Sequence, residues 1–106
     1  MEKLEARLEL GFKRYGHGVR VNDDTREWGT KDNSWMEMAE EEFLDAIIYV
    51  TADYIRNTPN HPFKNDFFSI ETSRDDNDMI IHIIENYTRM EPCRHKTLIC
   101  TLLTMV

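Results

Sequence analysis

The sequence predicts an all-α protein, a bundle of about four helices, and two observations carry that prediction. Apolar residues recur every three or four positions in four segments, residues 2–15, about 34–56, roughly 76–89 and about 93–105. The second segment runs for more than twenty residues without Gly or Pro and is rich in Met, Ala, Glu and Leu. A chain of 106 residues suits a single domain spanning 1–106. Its core is small, so we expect oligomerisation to complete the bundle.

The first predicted helix, residues 2–15, has one apolar face and a clear end. Leu4, Leu8, Phe12 and Tyr15 share that face. Gly16 and Gly18 follow at once, and a glycine just past the last turn is a usual helix stop.

The second predicted helix begins with a capping box, because Ser34 is followed three residues later by Glu37. At about 100° per residue, one face of this helix is the expected core stripe. Its members are Leu44, Ile47, Ile48, Thr51 and Ile55.

Carboxylates run along the edge of that stripe. Glu37, Glu41 and Asp45 follow one another at a spacing of four residues, and Glu40 falls near the middle of the stripe. Like charges at this spacing repel, and a divalent cation between them would reverse the effect. A plainer interpretation also stands, since the helix dipole favours acids in a first turn and Glu37 already serves the capping box.

The first helix repeats the acidic pattern in weaker form, with Glu5 and Glu9 beside its apolar face. The two acidic edges could line one cleft, which would make Glu5 a metal ligand. The alternation with Lys3, Arg7 and Lys13 favours an ordinary solvated face over a metal site on this helix.

Residues 16–33 form the longest stretch without periodicity, and loops of this length are usually functional or disordered. The stretch holds side chains suited to gripping phosphates and stacking on a base. They are His17, Arg20, Arg26, Trp28 and Lys31. Alternatively, residues 19–21 form a short strand and Trp28 covers the core.

The second half of the chain reads as an irregular stretch at 57–74 followed by two helices. Phe63, Phe67 and Phe68 are predicted packing anchors. The core face of the third helix comprises Met79, Ile80, Ile83, Ile84 and Tyr87, and that of the last helix Leu98, Ile99, Leu102 and Leu103.

The two cysteines and the two histidines in the last two predicted helices do not form a predicted metal site. Cys93 and Cys100 lie about 10 Å apart along a helix, too far for a disulfide within it, so we expect free thiols in a reducing cytoplasm. His82 and His95 are isolated in the sequence, and Cys93 and His95 would point apart on a helix.

Charge and hydropathy exclude two classes of partner. A formal net charge of -7 argues against a nucleic-acid polymer, whose phosphates require an excess of Lys and Arg. No apolar run approaches the roughly 18 residues that span a bilayer, so we expect no membrane association. The N-terminus has no apolar signal region either.

The stretch Glu41-Glu42-Phe43-Leu44-Asp45, followed by Ala46-Ile47-Ile48-Tyr49, resembles the MazG-like all-α nucleoside triphosphate pyrophosphohydrolases. The region before it, from Tyr15-Gly-His-Gly through Glu27-Trp-Gly to Trp35, is similar to small phage-encoded members. That family carries Glu-Glu-x-x-Glu on one helix and Glu-x-x-Asp on the next, and the four acids bind Mg²⁺. Glu42 and Asp45 match the second motif. The first is missing, and its nearest counterpart is Glu2-x-x-Glu5.

The resemblance and the residues disagree over one ligand. Helical geometry places Glu42 away from the apolar stripe and Glu41 at its edge. A partner subunit covering that face would remove the conflict, and members of the family are commonly dimers or tetramers.

Two functions follow as expectations. The first is Mg²⁺- or Mn²⁺-dependent hydrolysis of a (deoxy)nucleoside triphosphate to monophosphate and pyrophosphate, in the cytoplasm of a host if the protein is phage-encoded. Glu41 and Asp45 would be catalytic, with the metal held by Glu37, Glu41, Glu42, Asp45 and Glu5, and the substrate by Arg20, Arg26, Trp28 and Lys31. The second is a non-catalytic helical module that binds a host protein or sequesters a nucleotide signal.

Overall fold

A computed structural model describes residues 1–66 and 75–106, and it confirms the all-α prediction for these ranges. They contain four α-helices, α1 (Glu2–Tyr15), α2 (Trp35–Asn57), α3 (Asn77–Glu85) and α4 (Arg94–Met105). Short 3₁₀ helices occupy Thr25–Trp28 and Tyr87–Arg89, and no strand is found within the described ranges. The third predicted helix is therefore an α-helix that passes into a 3₁₀ turn.

Close contacts divide the chain into two compact units, Met1–Ser34 and Trp35–Val106. The single domain spanning 1–106 stays a prediction.

The first unit begins with α1, which ends at the predicted glycine. Gly16 adopts the left-handed conformation with φ of 80°, and its N–H donates to the carbonyl of Phe12 at 2.9 Å. Only glycine adopts this backbone without steric cost, so it fixes the end of the helix.

A buried polar cluster organises the rest of this unit. The Thr25 and Thr30 hydroxyls lie 2.7 Å apart and both residues are buried. Asn33 Oδ1 accepts the Thr25 backbone N–H at 2.7 Å. Residues 19–21 form no strand, so Thr25, Thr30 and Asn33 rather than a sheet edge hold the loop in shape.

The second unit has a single apolar core between α2, α3 and α4. Its buried members are Tyr54, Phe63, Met79, Ile83, Met90 and Ile99, with Val50, Ile55, Tyr87, Cys93 and Leu103 packed around them. The predicted core faces of α3 and α4 are confirmed, since Met79, Ile83 and Ile99 are buried. Phe63 is confirmed as a packing anchor, whereas Phe67 and Phe68 lie outside the described residues.

The core face of α2 differs from the predicted stripe. Ile47, Thr51 and Tyr54 are buried, but Leu44 and Ile48 are 51% and 42% exposed. At about 100° per residue, the buried face is rotated by about 50° from the predicted one, toward Tyr54. The prediction that Leu44 and Ile48 belong to the core is therefore wrong, because α3 and α4 pack against the Tyr54 side.

Candidate functional site

Because the buried face of α2 differs from the predicted one, the carboxylates of this helix also lie in different surroundings from those predicted. Glu40, Glu41, Glu42 and Asp45 are all exposed, and Glu37 is half-buried. The sequence predicts Asp45 at the edge of the core stripe, but it lies on the outer side of the helix. These acids therefore border solvent rather than the core of the second unit.

Across residues 1–66 and 75–106, no three or more His, Cys, Asp or Glu side chains are close enough together to hold a metal ion. Glu5, the remaining predicted ligand, is exposed on α1 in the first unit. The Mg²⁺ site built from Glu5, Glu37, Glu41, Glu42 and Asp45 stays a prediction.

The predicted phosphate-binding arginines already contact carboxylates of their own loop. Arg20 Nε donates to Asp23 Oδ2 at 3.1 Å, and Arg26 Nη2 donates to Asp24 Oδ2 at 2.6 Å. The side-chain hydrogen bond from Arg26 lowers the pKa of Asp24 to about 2. A phosphate would have to compete with these carboxylates for either guanidinium.

The other two predicted substrate contacts lie in the same unit. Trp28 is 48% exposed at the end of the 3₁₀ helix, and Lys31 is exposed two residues after Gly29. Gly29 has φ of 101°, which turns the chain sharply between them.

A groove of about 260 Å³ lies along α2 and α4 in the second unit. Its lining residues are Tyr49, Val50, Asp53, Arg94, His95 and Leu98. His95 Nε2 and Asp53 Oδ2 are 2.7 Å apart, and this hydrogen bond lowers the pKa of Asp53. His95 is isolated in the sequence, and folding pairs it with a carboxylate 42 positions away.

His82 is also paired with a carboxylate that is distant in the sequence. Its Nε2 lies 2.7 Å from Asp66 Oδ2, which also accepts from Arg89 Nη1 at 3.0 Å. The hydrogen bond from Arg89, and to a smaller extent the one from His82, lowers the pKa of Asp66. The Arg89 guanidinium stacks over the Phe63 ring at 4.7 Å, so these residues join the end of α3 to the irregular stretch after α2.

Besides Thr51, whose hydroxyl donates to the Ile47 carbonyl at 2.9 Å, two polar side chains are buried in the second unit. The Tyr54 hydroxyl donates to Glu91 Oε2 at 2.9 Å, and burial raises the pKa of Tyr54. His61 Nδ1 accepts the backbone N–H of Phe63 at 3.1 Å, and burial lowers the pKa of His61. Their partners satisfy them within the protein, so we assign them structural roles.

The least expected feature is the exposure of α1. Within the described part of the chain this helix has no buried side chain. Its large apolar residues, Leu4, Leu8, Leu10, Phe12 and Tyr15, are 46% to 68% exposed. The apolar face is predictable from the sequence, but nothing in the pattern indicates that the face stays uncovered. Extended exposed apolar patches are typical of interaction surfaces, which makes this face a candidate docking site.

Comparisons with known protein families, curated proteins and solved structures found no match for this chain. In the described ranges, every helix is too short or too polar to cross a membrane.

Proposed function

We propose that this protein is a non-catalytic helical module that acts by binding another polypeptide chain through the apolar face of α1. The observation that carries the proposal is the exposure of Leu4, Leu8 and Phe12, at four-residue spacing along one face. The pattern matches helix recognition, in which anchors at this spacing enter an apolar groove or pack against another helix.

Helix energetics support a partner. An isolated helix of 14 residues is marginal in water, and α1 contains Gly11 in its interior. Fully burying a Leu or Phe side chain contributes about 1.5–3 kcal/mol. Covering three half-exposed apolar residues would therefore contribute a few kcal/mol toward the stability of the helix and of the complex.

Amide hydrogen exchange tests whether α1 is available for docking. In purified protein, diluted until light scattering gives the monomer mass, we expect α1 amides to exchange much faster than those of residues 47–54. The latter are the internal reference, because Ile47, Thr51 and Tyr54 are buried. Equal protection of both segments in the monomer would contradict the proposal, because α1 would then be held by its own chain.

The hydrolase remains a second candidate, and one observation favours it. Glu41, Glu42 and Asp45 are exposed together on the outer side of α2, where an ion and a facing acidic subunit have access. In this proposal they bind Mg²⁺ or Mn²⁺, which would neutralise the triphosphate and activate water. Arg20, Arg26 and Lys31 would bind its phosphates, and Trp28 its base.

Release of pyrophosphate from the common nucleoside triphosphates, with Mg²⁺ or Mn²⁺ present, tests this candidate. Asp45→Asn should abolish release, whereas Glu85→Gln, at an exposed acid on α3, should leave it unchanged. No release from any triphosphate with either metal would eliminate the hydrolase. Cys93 and Cys100 are both free thiols. Under either proposed function, we therefore place the protein in a reducing cytoplasm.

A further inference from the structure

The charges on α1 are distributed unevenly around its apolar face. Angles are measured from Leu8 at about 100° per residue. Glu2, Glu5 and Glu9 lie about 60–120° to one side, which we call the acidic flank. Lys13 lies at about 140° on the same side and pairs with Glu9 at 3.6 Å, so the acids outnumber the bases on this flank by three to one. Lys3, Arg7 and Arg14 lie about 100–140° to the opposite side and form the basic flank, which has no acid. All of these side chains are exposed, so both flanks are open to a partner.

This distribution selects an orientation if a second α1 covers the face. In a parallel pair related by a twofold axis along the helices, each acidic flank faces the basic flank of the other helix. In an antiparallel pair, acid faces acid and base faces base, which is unfavourable. Arg7 lies two residues from both Glu5 and Glu9, an axial offset of about 3 Å in a parallel, in-register pair.

From this complementarity we infer that the occupant of the α1 face is α1 of a second copy of the same chain, packed parallel and in register. The inference rests on the proposed docking role of α1 and names its partner. The contact would cover Leu4, Leu8 and Phe12 of both copies, and it fits the near balance of charge on α1, which has three acids and four bases in a chain of net charge -7.

The first experiment measures the mass of the full chain by light scattering over a wide concentration range. We expect a concentration-dependent dimer that Leu8→Glu weakens by at least about tenfold. Leu10→Glu is the matched control. Leu10 lies about 160° from Leu8 when measured the shorter way around the helix, and it is similarly exposed at 46% against 51%. Equal effects of both substitutions, or none, would overturn the inference.

Charge variants test the flanks without altering the apolar face. Arg7→Glu places acid against acid in the parallel pair, and Glu5→Lys places base against base, so each variant alone should dimerise several-fold more weakly. Mixed together, the two should form a heterodimer, because the acid introduced at position 7 of one chain would face the base introduced at position 5 of the other. In an antiparallel pair, each variant alone would instead relieve facing like charges and dimerise more strongly than the wild type. Stronger dimerisation of either single variant, or failure to form the heterodimer, would therefore overturn the inference.

Disulfide trapping tests the orientation directly, in a chain that also carries Cys93→Ser and Cys100→Ser. A parallel, in-register pair brings position 4 of both copies together, so Leu4→Cys should cross-link to itself. Cross-linking of Leu4→Cys only to Phe12→Cys in a mixture would show an antiparallel pair and overturn the inference.

Failure of this inference is distinguishable from failure of the proposed function. A monomer at every concentration with rapidly exchanging α1 amides would overturn self-association and leave the docking role to a different polypeptide. A monomer whose α1 amides are as protected as those of residues 47–54 would overturn both.

Discussion

Tyr54 and His61 show how single polar side chains are accommodated in the core of the second unit. Both are buried, and each has one hydrogen-bond partner nearby, Glu91 for the tyrosine and the Phe63 amide for the histidine. A buried polar group without a partner is costly, so the stability of the unit depends on these bonds.

Tyr54→Phe removes the hydroxyl and keeps the ring. We expect a loss of about 1 kcal/mol in the free energy of unfolding, because the exposed Glu91 carboxylate can bond to water instead. Tyr49→Phe is the control, since Tyr49 is 68% exposed. Urea denaturation measures both, and equal effects of the two substitutions would contradict a structural role for the Tyr54 hydroxyl.

The stability of the protein should also depend on His61. Burial holds its pKa below the usual 6.5, although the Glu91 and Asp66 carboxylates partly oppose this. The unfolded chain then binds more protons than the folded one, so this contribution to stability is present above pH 6.5 and is lost as pH falls through the folded-state pKa.

His61→Asn keeps an acceptor for the Phe63 amide and removes the titration. We expect the variant to lose less stability than the wild type between about pH 7.5 and about pH 5.5, measured by urea denaturation at each pH. Parallel curves for the two proteins would show that protonation of His61 has no influence on folding.

At the scale of the helix, α2 shows the difference between an apolar pattern and a buried face. Leu44, Ile47 and Ile48 all belong to the apolar pattern of the sequence, but only Ile47 is buried. Partners in α3 and α4 select which part of a broad apolar face is covered. The rest of the apolar face of α2 is exposed. It contains Leu44 and Ile48, which lie beside the carboxylates of this helix.

Alanine substitutions at neighbouring positions test this rotation. Ile47→Ala should cost about 2–4 kcal/mol, because Ile47 is only 3% exposed and the change leaves a cavity. Ile48→Ala should cost less than about 1 kcal/mol, since its 42% exposed side chain gives up little burial. A larger loss of stability for Ile48→Ala than for Ile47→Ala would contradict the observed buried face and support the one predicted from the sequence.

In contrast to α2, the helix α1 has a clear apolar face of which no part is buried. Its C-terminal end is well defined by Gly16, and its only ion pair, among the described residues, joins Lys13 and Glu9 at 3.6 Å. Such an exposed pair adds little stability. In the proposed function, the partner that covers Leu4, Leu8 and Phe12 would stabilise the helix.

At the scale of the molecule, stability is concentrated in the second unit. Its core cluster joins three helices that are distant in sequence, so we expect it to unfold cooperatively. The first unit contains two buried threonines instead of an apolar cluster.

Ile99→Ala tests this cooperativity, because the fully buried Ile99 belongs to the shared cluster. We expect a loss of about 2–5 kcal/mol and an unchanged denaturant slope. Thr101→Ala, at an exposed position of α4, should have little effect. A local loss of α4 protection in hydrogen exchange, with α2 and α3 unaffected, would contradict a common core.

The helices were predictable because periodicity is a local property. A helix repeats every 3.6 residues wherever it lies, so residues 2–15 and the stretch after Ser34 reveal it without any tertiary information. The glycine stop at Gly16 is local in the same sense.

The candidate site was less predictable, because pairing depends on distant residues. Asp53 and His95, and likewise Asp66 and His82, meet only after the helices pack. The carboxylates of α2 were predicted from their spacing and from a family resemblance, and the arginines at positions 20 and 26 from residue type within an aperiodic stretch. Whether a side chain such as Asp45 faces the core or solvent depends on the rotation of its helix, which the sequence does not specify.

The sequence by itself determined that the chain is helical, where its four main helices lie, and which side of each is apolar, since these follow from the geometry of one turn. Only the tertiary structure decided which apolar sides are covered, because burial requires a second surface. That is why Ile47 and Tyr54 are in the core while Leu44 and the whole apolar face of α1 are exposed.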